Sequence, residues 1–317
     1  MIAATIKEKE PIKKKHKINW RKFIPLYFMA LPAIVYLFIN NYMPLYGMQI
    51  AFRELDYSKG VFNGDFVGLR NFSFLFSTNE AFIMVRNTVL YNLLFIVFGT
   101  VFSLTVAILF AEIKNKVAAK VYQSAMLIPH FISMVIVSYL AFAYLSSETG
   151  FINNTILKLF GAEPVSWYSE PKYWPFILLF INIWKGMGYS LLMYTARLLT
   201  ISDEYYEAAR IDGATKIQQI FRITLPLLKP AIIMMIILSL GRMFYSDFGL
   251  FYQVPMNAGA LYSVTTTIDT YSYRALMNLG DITMSTATGV FQSFVGFILI
   301  LASNLLIRKI SKDDALF

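Results

Sequence analysis

The amino-acid sequence predicts an all-α, polytopic membrane protein with six transmembrane helices. Hydrophobic residues make up 57% of the 317 residues and charged residues only 15%, whereas soluble domains are about 25% charged. Six apolar runs are near the roughly 20 residues that cross a bilayer core. They lie at 23–40, 84–111, 121–145, 174–199, 229–252 and 284–307. Lysine and arginine also favour one side of these runs, as membrane topology requires.

The first run is predicted to be a retained helix rather than a cleaved signal. It is longer than the apolar region of a signal peptide, which has roughly 7–15 residues. The segment after it, "NNYMPLYG", offers no small-residue cleavage site. Residues 1–22 then form a basic tail, and residues 23–83 comprise the first transmembrane helix and an outer loop.

The orientation follows from the positive-inside rule. With the basic tail inside, nineteen lysines and arginines lie on the cytoplasmic side and six lie outside. Both termini, including residues 308–317, are therefore expected in the cytoplasm, as is the polar segment 200–229. Topology and attraction to anionic lipid explain the charge of the tail, and a docking or regulatory arm is the alternative.

The composition excludes several kinds of site. The sequence has no cysteine and only two histidines, His16 and His130, so no metal site is expected in this chain. The net charge of +9 lies mainly in the tail and short loops, which indicates topology signals rather than nucleic-acid binding. His130 is expected to pack near the cytoplasmic half of the third helix, with a proton relay as the alternative.

The outer loops are long enough to form small caps. They span 41–83, 146–173 and 253–283, which is longer than ordinary connections. The stretch "GFINNTILKLFGAEPVSW" shows helical spacing that ends at Gly161, so a short surface helix is predicted there.

A helix–turn–helix bracket is predicted between the fourth and fifth runs, at 200–229. Ser202 is placed to cap a first helix, "DEYYEAARI", and Gly213 to end it, while Thr215 can cap a second helix, "KIQQIFRI". A small, flat surface flanked by charges suits docking into the groove of a partner. The alternative is an amphipathic helix on lipid headgroups, which the acidic first helix disfavours.

The bracket resembles a known family. "EAARIDGA" (207–214) and "ITLP" (223–226) match, in order and spacing, the EAA signature of binding-protein-dependent ABC importer permeases, which have a MetI-like fold. "FVGLRNF" (66–72), "RNTVLYN" (86–92) and "IWKGMGYS" (183–190) are similar to the sugar branch, closest to the LplB-type oligosaccharide permeases. The resemblance covers about residues 24–307, with Ser202 where relatives often have proline.

The resemblance implies a five-helix permease core at 84–307, preceded by one extra helix, in the bacterial cytoplasmic membrane. It implies a second permease subunit, a cytoplasmic ATPase dimer and an extracytoplasmic sugar-binding lipoprotein as partners. The surface that couples to the ATPase would comprise Glu207, Ala208, Ala209, Asp212, Gly213 and Ala214. No strand–GxxxxGK[ST]–helix phosphate loop occurs in the sequence. ATP and magnesium are therefore expected on the ATPase, and neither enzyme activity nor a cofactor is expected in this chain.

Aromatic and polar residues in or beside the apolar runs are candidates for contacts with a sugar. They are Tyr91, Asn92, Trp184, Tyr189, Tyr194, Tyr245, Asp247, Tyr252 and Gln292. Packing or an interfacial belt is the alternative for each aromatic residue. Asp247 is predicted near the outer end of the fifth helix, facing a cavity or Arg242, because a carboxylate facing lipid is costly. Arg86 and Lys185 are expected at a subunit interface.

The function predicted from these features is that of a permease subunit of an ATP-driven importer for an oligosaccharide or related solute. Alternating access would be driven through the bracket. An ion-coupled secondary transporter is the alternative, although no convincing internal repeat is evident. A membrane-embedded enzyme would need a convergent cluster of histidine, acid or serine groups, and only scattered single candidates exist.

Overall fold

A computed structural model describes residues 20–56 and 58–310 of the chain. Within these ranges the chain is helical, and its only extended pairing is an isolated antiparallel bridge between Arg53 and Phe66. The predicted all-α fold is confirmed. Residues 1–19 of the predicted tail and 311–317 of the predicted C-terminus lie outside the described residues.

The described residues divide into two compact units, of which the first ends at Met48. It contains helix α1 (Trp20–Leu37), a π-helical turn (Phe38–Tyr42) and the first part of a 3-10 segment (Met43–Phe52). Residues 23–46 are all exposed, which fits a helix whose surroundings are lipid. The apolar helical stretch extends over Phe23–Phe52 and so passes the end of the predicted run at residue 40.

The second unit, Gln49–Phe317, contains the remaining helices. They are α2 (Phe74–Ser77), α3 (Asn79–Ala111), α4 (Lys116–Phe131), α5 (Met134–Leu145), α6 (Trp174–Leu198), α7 (Asp203–Ile211), α8 (Lys216–Gln219), α9 (Leu225–Leu240), α10 (Tyr262–Thr265), α11 (Ile268–Leu279) and α12 (Ile282–Ile310). Among the described residues, five helical segments are long and apolar enough to cross a membrane, and a bent pair makes a sixth. The predicted number of six transmembrane helices is reached when this bent pair is counted as one span.

Shorter turns connect these helices. They are 3-10 at Arg70–Phe72, Trp167–Ser169, Pro171–Tyr173 and Gly259–Leu261, and π-helical at Ile152–Leu157, Ile220–Thr224 and Gly249–Gln253. The turn at Ile152–Leu157 belongs to the predicted surface helix in the second outer loop. Gly161 follows it with φ +64°, a conformation that glycine adopts without strain. The predicted helix and its end at Gly161 are confirmed.

The third predicted run, 121–145, is not one continuous helix. It consists of α4 and α5, which meet at 95°. Pro129 lies in the last turn of α4, and the Ser133 hydroxyl accepts the Ile136 N–H to begin α5. Proline removes a backbone donor, and a serine cap favours a new helix start. Both features favour a break at this point.

The fifth predicted helix, 229–252, is wrong at its C-terminal end, because the helix ends earlier than predicted. α9 ends at Leu240, and the chain then turns before the π-helical segment at Gly249–Gln253. The Asp247 carboxylate accepts the Leu250 N–H at 3.1 Å and so caps that segment. Asp247 therefore lies beyond the helix, and within the described ranges it forms no ion pair with Arg242.

One of the buried apolar clusters of the second unit lies where α3, α6 and α9 meet. Ala107, Leu191, Tyr194 and Leu228 are fully or almost fully buried against one another. The backbones of α4 and α6 approach each other closely at Gly188. A Cβ atom added to this residue would lie 2.1 Å from the Met126 carbonyl oxygen. Glycine at this position lets the two backbones touch.

Candidate coupling bracket and solute pathway

The bracket between α6 and α9 has the predicted capping residues. The Ser202 hydroxyl accepts the Glu204 N–H at 3.3 Å and begins α7. Gly213 follows the helix with φ +79° and is in the left-handed region. Thr215 caps α8 in a capping box, in which the Gln218 side chain accepts the Thr215 N–H at 2.8 Å. The predicted helix–turn–helix is confirmed.

Buried polar contacts hold the two arms of the bracket together. The hydroxyls of Tyr206 and Thr224 lie 3.0 Å apart and join α7 to the start of α9. Gln219 is buried, and its amide donates to the Ala214 carbonyl at 3.1 Å. Because these bonds link both arms and the turn, the bracket can move as one body.

The residues predicted to couple to an ATPase lie at the surface of the bracket. Glu207, Ala208, Asp212 and Gly213 are exposed, and Ala209 and Ala214 are half-buried. In the part of the chain that the structure describes, the Glu207 and Asp212 carboxylates have no side-chain partner.

Large apolar side chains stand beside this surface. Ile211 is 86% exposed, and Ile217 and Phe221 are also exposed. Exposed apolar groups with a polar rim are typical of partner sites. Ile211 was not singled out from the sequence, although it directly follows "EAAR" in the same helix.

An ion pair joins the bracket to the C-terminal end of α3. The Lys216 ammonium lies 2.8 Å from both carboxylate oxygens of Glu112. Lys216 is the first residue of α8, and Glu112 directly follows α3. The sequence offers no signal for this contact, because the two residues are 104 positions apart.

Two of the predicted sugar contacts help attach α3 to the segment that follows α9. The Asn92 amide donates to the Met243 carbonyl at 2.9 Å and the Tyr245 carbonyl at 3.3 Å. Tyr91 is buried with its ring 4.9 Å from that of Phe251, and its hydroxyl has no hydrogen-bond partner among the described residues. These contacts give both residues a packing role.

A third candidate, Gln292 on α12, belongs to a buried polar network. Its amide donates to the Phe244 carbonyl at 2.7 Å and to Asp269 Oδ1 at 3.1 Å. Asp269 Oδ2 also accepts the N–H and O–H of Ser246, at 2.7 and 2.6 Å. Asp269 lies in the first turn of α11. It is not among the residues predicted from the sequence, where its one distinguishing feature is its place after a run of threonines.

The other candidates lie apart from this network. Trp184 is half-buried against the core, while Tyr189 is exposed and stacks on His130 with ring centres 5.5 Å apart. The Tyr252 ring lies 4.7 Å from Phe248, and the exposed Tyr245 hydroxyl lies 3.4 Å from that of Ser293. The predicted residues therefore form several small groups rather than one site, and their contact with solute stays a prediction.

A polar cavity lies between α3, α6 and α9. Its volume is about 110 Å³. Its polar lining consists of Thr100, Ser103, Asn182, Ser190, Tyr194 and Ser239. Of these residues only Tyr194 is among the predicted contacts, because isolated hydroxyl and amide groups in apolar runs are not distinctive in sequence.

Lys185 and Arg86, which were expected at a subunit interface, have partners within the chain. The Lys185 ammonium donates to the carbonyls of Pro129, His130 and Ile132 at the bend between α4 and α5. A cation is favoured there because the carbonyls at a helix C-terminus lack intrahelical donors. Arg86 donates to the Ser263 carbonyl at 3.0 Å in the predicted outer loop 253–283 (the outer cap).

The outer cap also contains a cation held over an aromatic ring. The Arg274 guanidinium lies 4.2 Å from the centre of the Tyr262 ring and donates to the Thr266 hydroxyl at 2.8 Å. Burial lowers the pKa of Arg274 below its ordinary value. Burial raises the pKa of Tyr168, in the second outer loop, to about 12. Both groups serve the packing of the outer loops.

Sequence comparison places the chain among known membrane components. Residues 99–312 match the profile of the family described as "Binding-protein-dependent transport system inner membrane component". The polygalacturonan/rhamnogalacturonan transport system permease protein YteP of Bacillus subtilis (strain 168) is 34% identical over 289 residues, covering 91% of this chain and 89% of YteP. Protein LplB of the same organism is 32% identical over 289 residues, covering 91% and 90%.

Solved structures share the fold. One is the crystal structure of a bacterial ABC transporter involved in the import of the acidic polysaccharide alginate. It has a TM-score of 0.83 and 30% identity, covering 93% of this chain and 100% of the matched chain. A second is a bacterial alginate ABC transporter in complex with an alginate pentasaccharide-bound periplasmic protein, with a TM-score of 0.82, 30% identity and coverage of 93% and 99%.

Proposed function

Because the chain belongs to the family of binding-protein-dependent transport system inner membrane components, we propose that it is the permease subunit of an ATP-driven importer for an oligosaccharide. It is a multi-pass protein of the inner membrane. The observation that carries the mechanism is the bracket, a polar helical pair with an exposed surface between two apolar helices. The positive-inside count supports a cytoplasmic position for this bracket and for both termini.

The partner on the cytoplasmic side would be an ATPase dimer that holds ATP and magnesium. Ala208 and Ala209 would allow close approach to a groove, while Ile211 would supply apolar contact area. No described side chain pairs with the Glu207 or Asp212 carboxylate, and both carboxylates would pair with arginine or lysine of the partner. This role agrees with the lack of a phosphate loop in the sequence.

A second permease subunit would complete the solute pathway, and an extracytoplasmic binding protein would deliver the solute. Closure of the ATPase dimer would displace the bracket, and the spans would rock between inward-open and outward-open states. The bonds of Tyr206 and Gln219 support this mechanism, because they let the bracket transmit force as one body.

The solute would be an oligosaccharide released from a polysaccharide. This inference rests on the relatives, one named for polygalacturonan and rhamnogalacturonan and another for alginate. The polar cavity between α3, α6 and α9 and the aromatic candidates Tyr189, Tyr245 and Tyr252 would provide hydrogen bonds and stacking surfaces. A panel of oligogalacturonates, rhamnogalacturonan fragments, oligoalginates and neutral oligosaccharides, tested for binding to the cognate binding protein, would identify the class.

Gly213→Glu tests the coupling role of the bracket. A glutamate there would strain the left-handed turn and place a large side chain at the docking surface. We expect the variant to insert into the membrane but to lose co-purification with the ATPase and sugar uptake. Gly161→Glu is the control, since Gly161 is also left-handed but lies in an outer loop. Normal uptake and ATPase stimulation by the Gly213 variant would contradict the assignment.

A further inference from the structure

Side chains bond α3 to the outer cap near its N-terminal end and to the bracket at its C-terminal end. It runs from Asn79 to Ala111, a length of 33 residues, or about 50 Å at roughly 1.5 Å per residue. Its outer half carries the motif "RNTVLYN", and its inner end leads directly into Glu112. Glu112 is not part of the proposed docking surface, and Asn87 and Thr88 of the motif are not among the candidate solute contacts.

The outer half of α3 is bonded to the backbone of the outer cap. The Asn87 amide donates to the Thr266 carbonyl at 2.9 Å, and the Thr88 hydroxyl accepts the Ile268 N–H at 3.0 Å. Asn87 and Thr88 are buried, so these bonds are shielded from water. The cap and the outer half of α3 are therefore held as one body.

The inner end of α3 is bonded to the bracket. The Lys216 ammonium meets both carboxylate oxygens of Glu112 at 2.8 Å. Glu112 and Lys216 have side chains 57% and 64% exposed, and exposed pairs contribute little to overall stability. A pair that adds little stability can still set the relative position of two elements that move.

We propose that the Glu112–Lys216 ion pair is a positioning contact for coupling, which makes the inner end of α3 follow the bracket. This inference rests on the proposed function, because it requires the bracket to move with the ATPase. Displacement of the bracket then acts on α3 at its inner end, and the bonds of Asn87 and Thr88 carry the displacement to the outer cap. In the reverse direction, an event at the cap reaches the bracket through the same helix.

Charge reversal tests the pair in the complete assembly of permease subunits, ATPase and binding protein in liposomes. Glu112→Lys or Lys216→Glu places two like charges together, and we expect sugar imported per ATP hydrolysed to fall about three- to tenfold. The double variant Glu112→Lys/Lys216→Glu restores an opposite pair and should recover most of the ratio. The probe is the oligosaccharide from the panel that the binding protein binds most tightly.

Lys114→Glu is the matched control. It makes the same charge change as Lys216→Glu on an exposed lysine two residues after Glu112, and Lys114 forms no ion pair within the described part of the chain. We expect this variant to transport like the wild type. Equal losses in Lys114→Glu and Lys216→Glu, or no recovery in the double reversal, would overturn the proposal.

A covalent link provides a second test that needs no sugar. Since the chain has no cysteine, Glu112→Cys and Lys216→Cys introduce its only two thiols, and a short bifunctional thiosulfonate can join them. If the inner end of α3 and the bracket move together, the rate of MgATP hydrolysis by the linked assembly should equal or exceed that of the unlinked assembly. Loss of hydrolysis on linking, reversed by reductant, would show that the ends must separate and would refute the proposal. This result is independent of whether any oligosaccharide in the panel is transported.

Discussion

The close approach of α4 and α6 at Gly188 gives a stability prediction with a control on the same helix. A Cβ atom on Gly188 would lie 2.1 Å from the Met126 carbonyl oxygen and 2.7 Å from its carbon. Contacts under 3.4 Å are already tighter than nine in ten that Cβ atoms make. The helices would have to separate by about 1.3 Å, which is an overpacking defect.

We therefore expect Gly188→Ala to lower the free energy of unfolding by about 1–3 kcal/mol. Gly186→Ala makes the same substitution two residues earlier, where no atom lies within 4 Å of the added Cβ. Alanine favours a helix interior over glycine by about 0.5–1 kcal/mol, so this control should be slightly stabilised. The measurement is denaturant unfolding of the purified permease in detergent, followed by tryptophan fluorescence. Equal stability of the two variants would refute the predicted contact between the backbones.

Three further substitutions test other contacts. Thr88→Val should cost about 1–3 kcal/mol, because the buried Ile268 N–H loses its acceptor; the exposed Thr105→Val should change unfolding little, and equal effects would contradict the outer bond. Asp269→Ala should lower the thermal midpoint, because the Ser246 N–H loses its acceptor and the Ser246 hydroxyl and Gln292 amide each lose one of two; an unchanged midpoint would contradict the network. Thr215→Ala should speed amide exchange in α8 about fivefold, because a lost cap costs about 1 kcal/mol; unchanged exchange would contradict the capping box.

The bracket could be predicted from the sequence because local chemistry determines it. Ser202 and Thr215 cap helices, and Gly213 takes the left-handed turn, through contacts with residues a few positions away. Such interactions are visible in a short window of sequence. The same holds for Gly161 at the end of the surface helix.

The bend between α4 and α5 could not be predicted, because it depends on a partner in another helix. Pro129 alone is compatible with a kinked but continuous membrane helix. The donor for the carbonyls at the bend is Lys185, which lies on α6. In the same way, Asp247 was placed in a helix because its neighbours are apolar, whereas the structure uses its carboxylate to cap a separate turn.

The sugar contacts were the least predictable part of the site. Tyr91, Asn92 and Gln292 have the residue types that bind sugars, but the structure engages Asn92 and Gln292 in bonds to the backbone. Amide side chains serve both purposes, and only their neighbours in space distinguish a packing role from a binding role. Asp269 was missed for the same reason, since its partners lie 23 residues away in either direction.

The most direct test of the account is the energy source for uptake. Labelled oligosaccharide should enter liposomes that contain the complete assembly only when MgATP is supplied on the side of the bracket and the binding protein on the opposite side. Ionophores that collapse proton and sodium gradients should leave this uptake unchanged. Uptake by the permease without ATPase, driven by an ion gradient and abolished by ionophores, would contradict the account.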